Sequence, residues 1–253
     1  MVGTHRSGST FLCRMMAATG SLGNPDEYFR RVLDKKRRGN HADPLAEAER
    51  SGIATDDILS RVALAKTQGT TENGVCSFKL FLRHFEFAAR QGDFLNHFPG
   101  VRFVWIFRRD LLGQAISFAL AKQTKKFRSY ESQASSQPAY DRQQIGALMG
   151  RIADEDAAWR NYFAKAGIEP FRLCYEDFAP DPMPHLRSIG GMVGVPIRHG
   201  LPAAAARMKV QRNEINERWR ERFLHETRRT EEYHFPFTTK PRPNLLKQVF
   251  GIG

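Results

Sequence analysis

The sequence has few cysteines and no long apolar run, and these two absences limit the classes of protein to which the chain can belong. Its three cysteines lie far apart and are odd in number, which is typical of reduced thiols and gives no metal-ligand spacing. No apolar stretch approaches the roughly 20 residues that a membrane-spanning helix needs. The N-terminus shows no basic segment followed by a long apolar one, so no secretory signal is expected. We therefore expect a cytoplasmic protein that binds no metal.

A surplus of positive charge is the clearest feature of the composition. The 253 residues carry a formal net charge of +12 and are 41% hydrophobic, which suits a globular chain with one sizeable core. Nucleic acid, an anionic membrane surface or a polyanionic small ligand would each match this charge. The sequence shows no helix-turn-helix, zinc-finger or RNP signature, so nucleic-acid binding is only an alternative and no nucleic-acid partner is expected.

Segments of strand and helix type alternate along the chain. The short apolar start is predicted to be a strand, further strands are predicted over 74–82, 101–107 and 170–175, and helices over 11–19, 55–69, 85–98, 111–122, 145–166 and 183–193. The run 101–107 is almost entirely apolar, β-branched or aromatic, as in strands buried on both faces of a parallel sheet. We predict a single α/β domain over 1–253 with a central parallel sheet flanked by helices, and a poorly ordered basic tail at about 238–253.

The stretch between the apolar start and the first helix predicts an anion-binding loop. Small residues allow the backbone N–H groups to converge, and the N-terminus of the following helix adds the positive end of its dipole. Arg6 puts a fixed cation at the loop, and the hydroxyl groups of Ser9 and Thr10 are suited to bind phosphate oxygens. The alternative is an ordinary turn of serine and glycine that caps a helix. The loop consists of Arg6, Ser7, Gly8, Ser9 and Thr10.

A second basic segment, Arg108 and Arg109, follows the strand at 101–107. Ligands of open parallel sheets bind at the carboxyl ends of the strands, so a single site with more than one anionic group is expected there. The first loop lacks the Gly-Lys-Ser/Thr ending of a Walker sequence, which disfavours an NTPase. An atypical P-loop kinase remains an alternative.

Three stretches, in this order, resemble the sulfotransferases that use 3′-phosphoadenosine 5′-phosphosulfate (PAPS). They are His5-Arg-Ser-Gly-Ser-Thr-Phe-Leu12, Gly23-Asn-Pro-Asp-Glu-Tyr-Phe29 and Phe107-Arg-Arg-Asp-Leu-Leu-Gly-Gln-Ala-Ile-Ser-Phe118. The resemblance is greatest to the bacterial trehalose-sulfotransferase-like branch, which also contains lipopolysaccharide-type enzymes. It implies a P-loop-NTPase-like sulfotransferase fold and in-line transfer of a sulfuryl group from PAPS to a carbohydrate or glycolipid hydroxyl, without a metal. Peripheral membrane contact and a homodimer are left open.

The resemblance also assigns the donor site. Arg6 and the loop residues after it would hold the 5′-phosphate that departs from the sulfuryl group. Arg108 and Ser117 would hold the 3′-phosphate, with Arg109 as the alternative to Arg108. Arg212 lies where a late basic residue would close over the nucleotide.

On the acceptor side, the resemblance implies that Glu27 is the general base. His5 is the second candidate base, since other sulfotransferases use a histidine. A structural alternative for Glu27 is the start of a helix over 28–33. Lys79 is expected to contact the transferred sulfuryl group or the acceptor. The family has a tryptophan where this chain has Leu82, so the acceptor contacts are left open.

Overall fold

A computed structural model describes residues 1–30, 57–124, 137–202 and 214–228. The chain divides into two compact units, residues 1–211 and 212–253. The predicted tail at 238–253 and Arg212 lie outside the described residues. The single domain over the whole chain stays a prediction.

The first unit contains a small parallel sheet of three strands, as the sequence predicted. The strands are Val2–Gly3 (β1), Val104–Phe107 (β2) and Phe171–Cys174 (β3), in the spatial order β1-β2-β3. Both pairings are parallel, with Val2 opposite Trp105 and Ile106 opposite Leu173. The carboxyl ends of all three strands therefore lie at one edge.

The segment 74–82 differs from its prediction as a strand. It joins the sheet through one parallel bridge, between Leu80 and Val2, and the N–H of Leu80 donates to the carbonyl of Met1 at 2.9 Å. Strand β1 is only two residues long, so the ladder with this segment stops after that bridge. The N–H of Lys79, the preceding residue, donates to the carbonyl of Asp26 at 2.9 Å. The same bond brings Lys79 beside the segment that carries Glu27.

Most helices match their predicted positions within a few residues. The predicted helix over 85–98 is an exception: it begins at Leu82, ends at Ala89, and is followed by a 3₁₀ turn at Phe94–His97. Gly92, with φ of +131°, lies in a conformation incompatible with a continuous helix. In the described part of the first unit the helices are Ser9–Ala18 (α1), Ile58–Gln68 (α2), Leu82–Ala89 (α3), Leu111–Thr124 (α4), Arg142–Ala166 (α5), Tyr175–Phe178 (α6) and Pro182–Met192 (α7). The second unit contains Glu214–Arg228 (α8).

Strand β2 is buried on both faces, as its apolar run predicted. Trp105 belongs to a core cluster that also contains Phe29 and Trp159. Ile106 belongs to a second cluster, with Leu12 and others. Burial of a large apolar side chain stabilises a fold by about 1.5–3 kcal/mol, so these two clusters hold the strands firmly. The loops at the carboxyl edge consequently start from a rigid base.

Candidate functional site

The loop between β1 and α1 has an unusual backbone. Arg6 has φ of +62° and is the one non-glycine residue with positive φ in the described ranges. This conformation costs an L-residue about 1–2 kcal/mol, so surrounding contacts must hold it. Gly8 has φ of +91°, and a Cβ there would lie 2.1 Å from Cδ2 of Tyr175. The loop therefore requires glycine at position 8 and packs directly against the tyrosine after β3.

Polar groups suited to an anion line this loop. Helix α1 begins without a side-chain cap, and the first N–H groups of a helix have no intrahelical acceptors. The Oγ of Ser7 is fully buried and has no hydrogen-bond partner in the structure. Free N–H groups at the positive end of a helix dipole, beside a buried hydroxyl, are typical of an anion site. The local geometry thus favours the anion-binding interpretation over a simple cap.

Gln114, in the first turn of α4, holds the start of the loop. Its Nε2 donates to Oγ1 of Thr4 and to the carbonyl of His5, both at 2.7 Å, and the residue is almost completely buried. Sequence reasoning did not identify this role. The signal was available in the Gln-Ala-x-Ser part of the third motif, which also carries Ser117.

Arg6 and Ser117 lie in direct contact. Nε of Arg6 donates to Oγ of Ser117 at 2.9 Å, although the two residues are 111 positions apart. Both side chains are partly buried. The residues predicted to bind two different phosphates therefore belong to one continuous surface.

Arg108 lies close to the loop and is mostly buried. Its Nε donates to Oε1 of Glu176 at 3.3 Å, and its guanidinium lies 4.9 Å from the ring centroid of Tyr175. Because that ring packs against Gly8, Arg108 is one side chain away from the loop. Its side chain is 18% exposed.

Arg109 has different surroundings. Its two terminal nitrogens donate to the Asp177 carboxylate at 2.9 and 2.6 Å, while the Arg109 side chain is 59% exposed. The hydrogen bonds to this carboxylate raise the pKa of Arg109, and those from Arg109 lower the pKa of Asp177. Solvent screens a surface pair of this kind, so it adds little to the stability of the fold.

Lys79 connects Glu27 with the end of the loop. Its Nζ lies 2.8 Å from Oε1 of Glu27 and donates to Oγ1 of Thr10 over a longer distance of 3.4 Å. Lys79 is only 3% exposed. Burial alone would lower its pKa, but the charge of Glu27 and neighbouring groups outweigh burial and raise it. Lys79 is therefore a buried cation between the predicted base and the predicted phosphate loop.

Glu27 lies in a turn of the backbone. Its N–H donates to Oδ1 of Asp26 at 2.7 Å, and its carbonyl accepts from the N–H of Arg30 at 3.1 Å. The next two residues, Tyr28 and Phe29, are buried in the core. In the described part of this segment the backbone forms a turn and no helix, whereas residues 31–33 of the alternative helix lie outside the described ranges.

His5 is enclosed by aromatic rings. Its imidazole stacks at 4.0 Å on Phe81 and at 4.9 Å on Phe118, and the residue is 9% exposed. Its Nδ1 lies 3.9 Å from Oε2 of Glu155, which is too long for a hydrogen bond. Burial lowers the pKa of His5, so the imidazole is uncharged at neutral pH.

A second buried histidine, His84, was not identified from the sequence. It is 1% exposed, and neither ring nitrogen has a hydrogen-bond partner in the structure. Burial lowers its pKa to about 3, and the negative charge of Glu27 only partly offsets this effect. The site thus holds an uncharged imidazole within the electrostatic reach of the predicted base.

Two further findings concern only the described parts of the chain. No helix there is long and apolar enough to cross a membrane. No group of three or more histidine, cysteine, aspartate or glutamate side chains there could hold a metal ion.

Comparison with known proteins gives a consistent result. The sequence profile of the Stf0 sulphotransferase family matches residues 1–226. The trehalose 2-sulfotransferase of Mycobacterium tuberculosis is 29% identical over 204 residues, which are 69% of this chain and 76% of that protein. The trehalose 2-sulfotransferase of Mycolicibacterium smegmatis is 25% identical over 202 residues, with the same two coverages.

Proposed function

This chain belongs to the Stf0 sulphotransferase family and is a sulfotransferase, and we propose that it transfers a sulfuryl group from PAPS to a hydroxyl of a carbohydrate or glycolipid. Both relatives are named for the sugar trehalose, which supports a carbohydrate acceptor. The single observation that carries the proposed mechanism is the contact of Lys79 with both Glu27 and Thr10. This contact joins the carboxylate of Glu27, which is suited to act as a base, to the loop that is suited to bind a phosphate.

The residues of the loop fit the 5′ end of this donor. PAPS, when bound, supplies the sulfuryl group together with its phosphate leaving group. Arg6 and the N–H groups at the start of α1 would hold that phosphate, and the buried hydroxyl of Ser7 would donate to it. Preorganised donors of this kind stabilise the charge that develops on a leaving phosphate.

Arg108 and Ser117 would hold the 3′-phosphate. Arg108 is the better of the two neighbouring arginines because it packs on Tyr175 beside the loop, whereas Arg109 is exposed and paired with Asp177. The hydrogen bond between Arg6 and Ser117 supports one site that holds both ends of the nucleotide.

Glu27 would accept the proton of the acceptor hydroxyl. General-base assistance of this kind contributes about 10²–10⁴-fold to a rate. The Lys79 ammonium, 2.8 Å away, favours the ionised carboxylate, which is the form that accepts a proton. The same cation lies at the loop, where it would stabilise negative charge on the transferring group.

Donor binding tests the first half of the proposal. We expect adenosine 3′,5′-bisphosphate (PAP), at 100 times its Kd, to stabilise the protein by about 2.7 kcal/mol. Arg108→Ala should weaken binding of PAP about 10–100-fold, because a charge-assisted hydrogen bond contributes about 1.5–3 kcal/mol. The same variant should hardly affect binding of adenosine 5′-monophosphate, which lacks the 3′-phosphate. Arg109→Ala is the matched control. If Arg109→Ala weakened PAP binding more than Arg108→Ala, Arg109 would be the residue that binds the 3′-phosphate. If the wild-type protein did not bind PAP, the proposal that PAPS is the donor would be refuted.

Sulfate transfer tests the second half. Labelled PAPS is offered with a panel of sugars and glycolipids, and the products are identified by mass. We expect Glu27→Gln to lower kcat about 10²–10⁴-fold while the Kd for PAP changes less than threefold. Glu72→Gln, at an exposed carboxylate, is the control. Full activity of Glu27→Gln would refute the base, and failure of every sugar and glycolipid to accept sulfate would refute the acceptor class.

A cytoplasmic location is also part of the proposal. The three cysteines, Cys13, Cys76 and Cys174, form no disulfide in the structure. Free thiols of this kind are usual in a reducing compartment. Fractionation of the native cells, with detection of the protein by antibody, tests this point.

A further inference from the structure

Three rings from different segments form one stack beside the loop. The imidazole of His5 lies between Phe81, the residue before α3, and Phe118 of α4, with interplanar angles of 15° and 2°. We call these three residues the His5 clamp. From α5, the guanidinium of Arg151 lies 5.6 Å from the ring centroid of Phe118. Parallel faces on both sides restrict the position of His5 far more than burial alone.

The clamp is adjacent to the contact between Arg6 and Ser117. His5 precedes Arg6, and Phe118 follows Ser117, so two neighbouring pairs of residues meet across the site. One pair stacks its rings at 4.9 Å and the other forms a hydrogen bond of 2.9 Å. Arg6 has the costly left-handed backbone, which persists only where its neighbours hold it. The ring contact therefore lies directly beside the residue whose backbone has to be held by its neighbours.

The surroundings of His5 hold its ring in one orientation. Both faces of the imidazole are covered, and Nδ1 is turned to Glu155 of α5 at 3.9 Å. Glu155 is itself held by Arg151, whose Nε lies 2.9 Å from Oε1. The Nδ1 side of His5 thus packs against a fixed ion pair, which orients the ring.

We propose that His5 is a positioning residue: the His5 clamp holds Arg6 against Ser117 and so sets the affinity for the donor, and His5 takes no proton from the acceptor. This inference rests on the proposed function, because the affinity concerned is that for PAP. It assigns a separate task to each of the two predicted bases, and Glu27 alone keeps the proton transfer.

Two substitutions at His5 separate positioning from proton transfer. His5→Phe keeps a flat ring between the two phenylalanines, whereas His5→Ala removes it. We expect His5→Phe to bind PAP within threefold of the wild-type Kd and to lose less than tenfold in kcat. We expect His5→Ala to weaken PAP binding at least tenfold. A hundredfold or greater loss of kcat in His5→Phe, with PAP affinity retained, would identify His5 as a base and overturn the inference. Wild-type PAP affinity in His5→Ala would overturn it as well.

Hydrogen exchange of the loop amides provides a readout that needs no ligand. We expect faster exchange of residues 4–10 in His5→Ala and in Phe118→Leu, and wild-type exchange in His5→Phe. Phe163→Leu is the matched control, because Phe163 and Phe118 are both 4% exposed and Phe163 lies outside the clamp. Equal exchange rates of these amides in all four variants would refute the proposal that the His5 clamp holds the loop. If the wild-type protein failed to bind PAP, the donor proposal would fall, and exchange would still decide whether the clamp holds the loop.

Discussion

Replacement of Lys79 by methionine tests the central contact of the site. Methionine keeps an unbranched apolar chain in the cavity and removes the ammonium that lies 2.8 Å from Glu27. The lysine side chain is 4% exposed and that of Glu27 is 18% exposed, so the remaining carboxylate would be largely buried without its cation. An uncompensated buried charge destabilises the folded state.

The structure also sets the size of the effect. Removal of one partner from a buried ion pair costs about 3–5 kcal/mol. Glu27 keeps some contact with water and can recover part of its hydration, so we expect about 3 kcal/mol, near the lower end. For a domain of this size, 1 kcal/mol corresponds to about 2–4 °C in Tm, which gives a fall of about 6–12 °C.

A double-mutant cycle measures the coupling itself. Urea unfolding at pH 7 is compared for the wild-type protein, Lys79→Met, Glu27→Gln and the double variant. Each single variant removes one charge of the pair and leaves the other, whereas the double variant removes both. The double variant should therefore be more stable than the sum of the two losses predicts, by at least about 1.5 kcal/mol. Lys66→Met, at an exposed lysine of α2, is the control.

Additive losses within about 0.5 kcal/mol would show that the two charges do not interact. In that case other groups would hold Lys79, and the proposal that it favours the ionised form of Glu27 would be refuted. An effect of Lys66→Met as large as that of Lys79→Met would indicate a general sensitivity of the fold to lost lysines.

Three further substitutions test other parts of the structure. Gly8→Ala would place a Cβ 2.1 Å from the ring of Tyr175 on a backbone with φ of +91°, and we expect calorimetry to show at least a tenfold weaker affinity for PAP. Gln114→Glu would set a carboxylate oxygen against the loop carbonyl that now accepts a 2.7 Å hydrogen bond, and urea unfolding should show a loss of about 2–4 kcal/mol. Because burial lowers the pKa of His84 from 6.5 to about 3, the unfolded chain binds its proton first, and wild-type stability should decline as the pH falls through that interval. His84→Gln should flatten this decline, while the exposed control His97→Gln should keep it.

Each of these has a contrary outcome. Wild-type affinity for PAP in Gly8→Ala would mean that the loop and Tyr175 separate easily, against their close packing. An unchanged stability in Gln114→Glu would remove Gln114 from the support of the loop. Parallel stability curves for His84→Gln and the wild-type protein between pH 3 and 6.5 would show that His84 does not govern the acid response.

The local features of this protein could be predicted from the sequence because they depend on neighbouring residues. The small residues around Gly8, followed by a helical pattern, predicted the loop. The apolar run at 101–107 predicted the buried strand β2. The segment 74–82 has the composition of a strand as well, yet its partner β1 is only two residues long and the N–H of Lys79 donates to Asp26, and no property of those nine residues indicates this.

The sequence by itself determined the parallel α/β class, the loop between the first strand and the first helix, and the resemblance to sulfotransferases, all of which rest on short contiguous stretches. Only the tertiary structure decided that Arg6 contacts Ser117, that Lys79 lies between Glu27 and Thr10, and that Arg108 is close to the loop while Arg109 is paired at the surface. Backbone preferences are set within a few residues along the chain. Contacts between side chains 50 to 110 positions apart depend on how two buried faces of a sheet are packed, and that packing is a property of the whole fold.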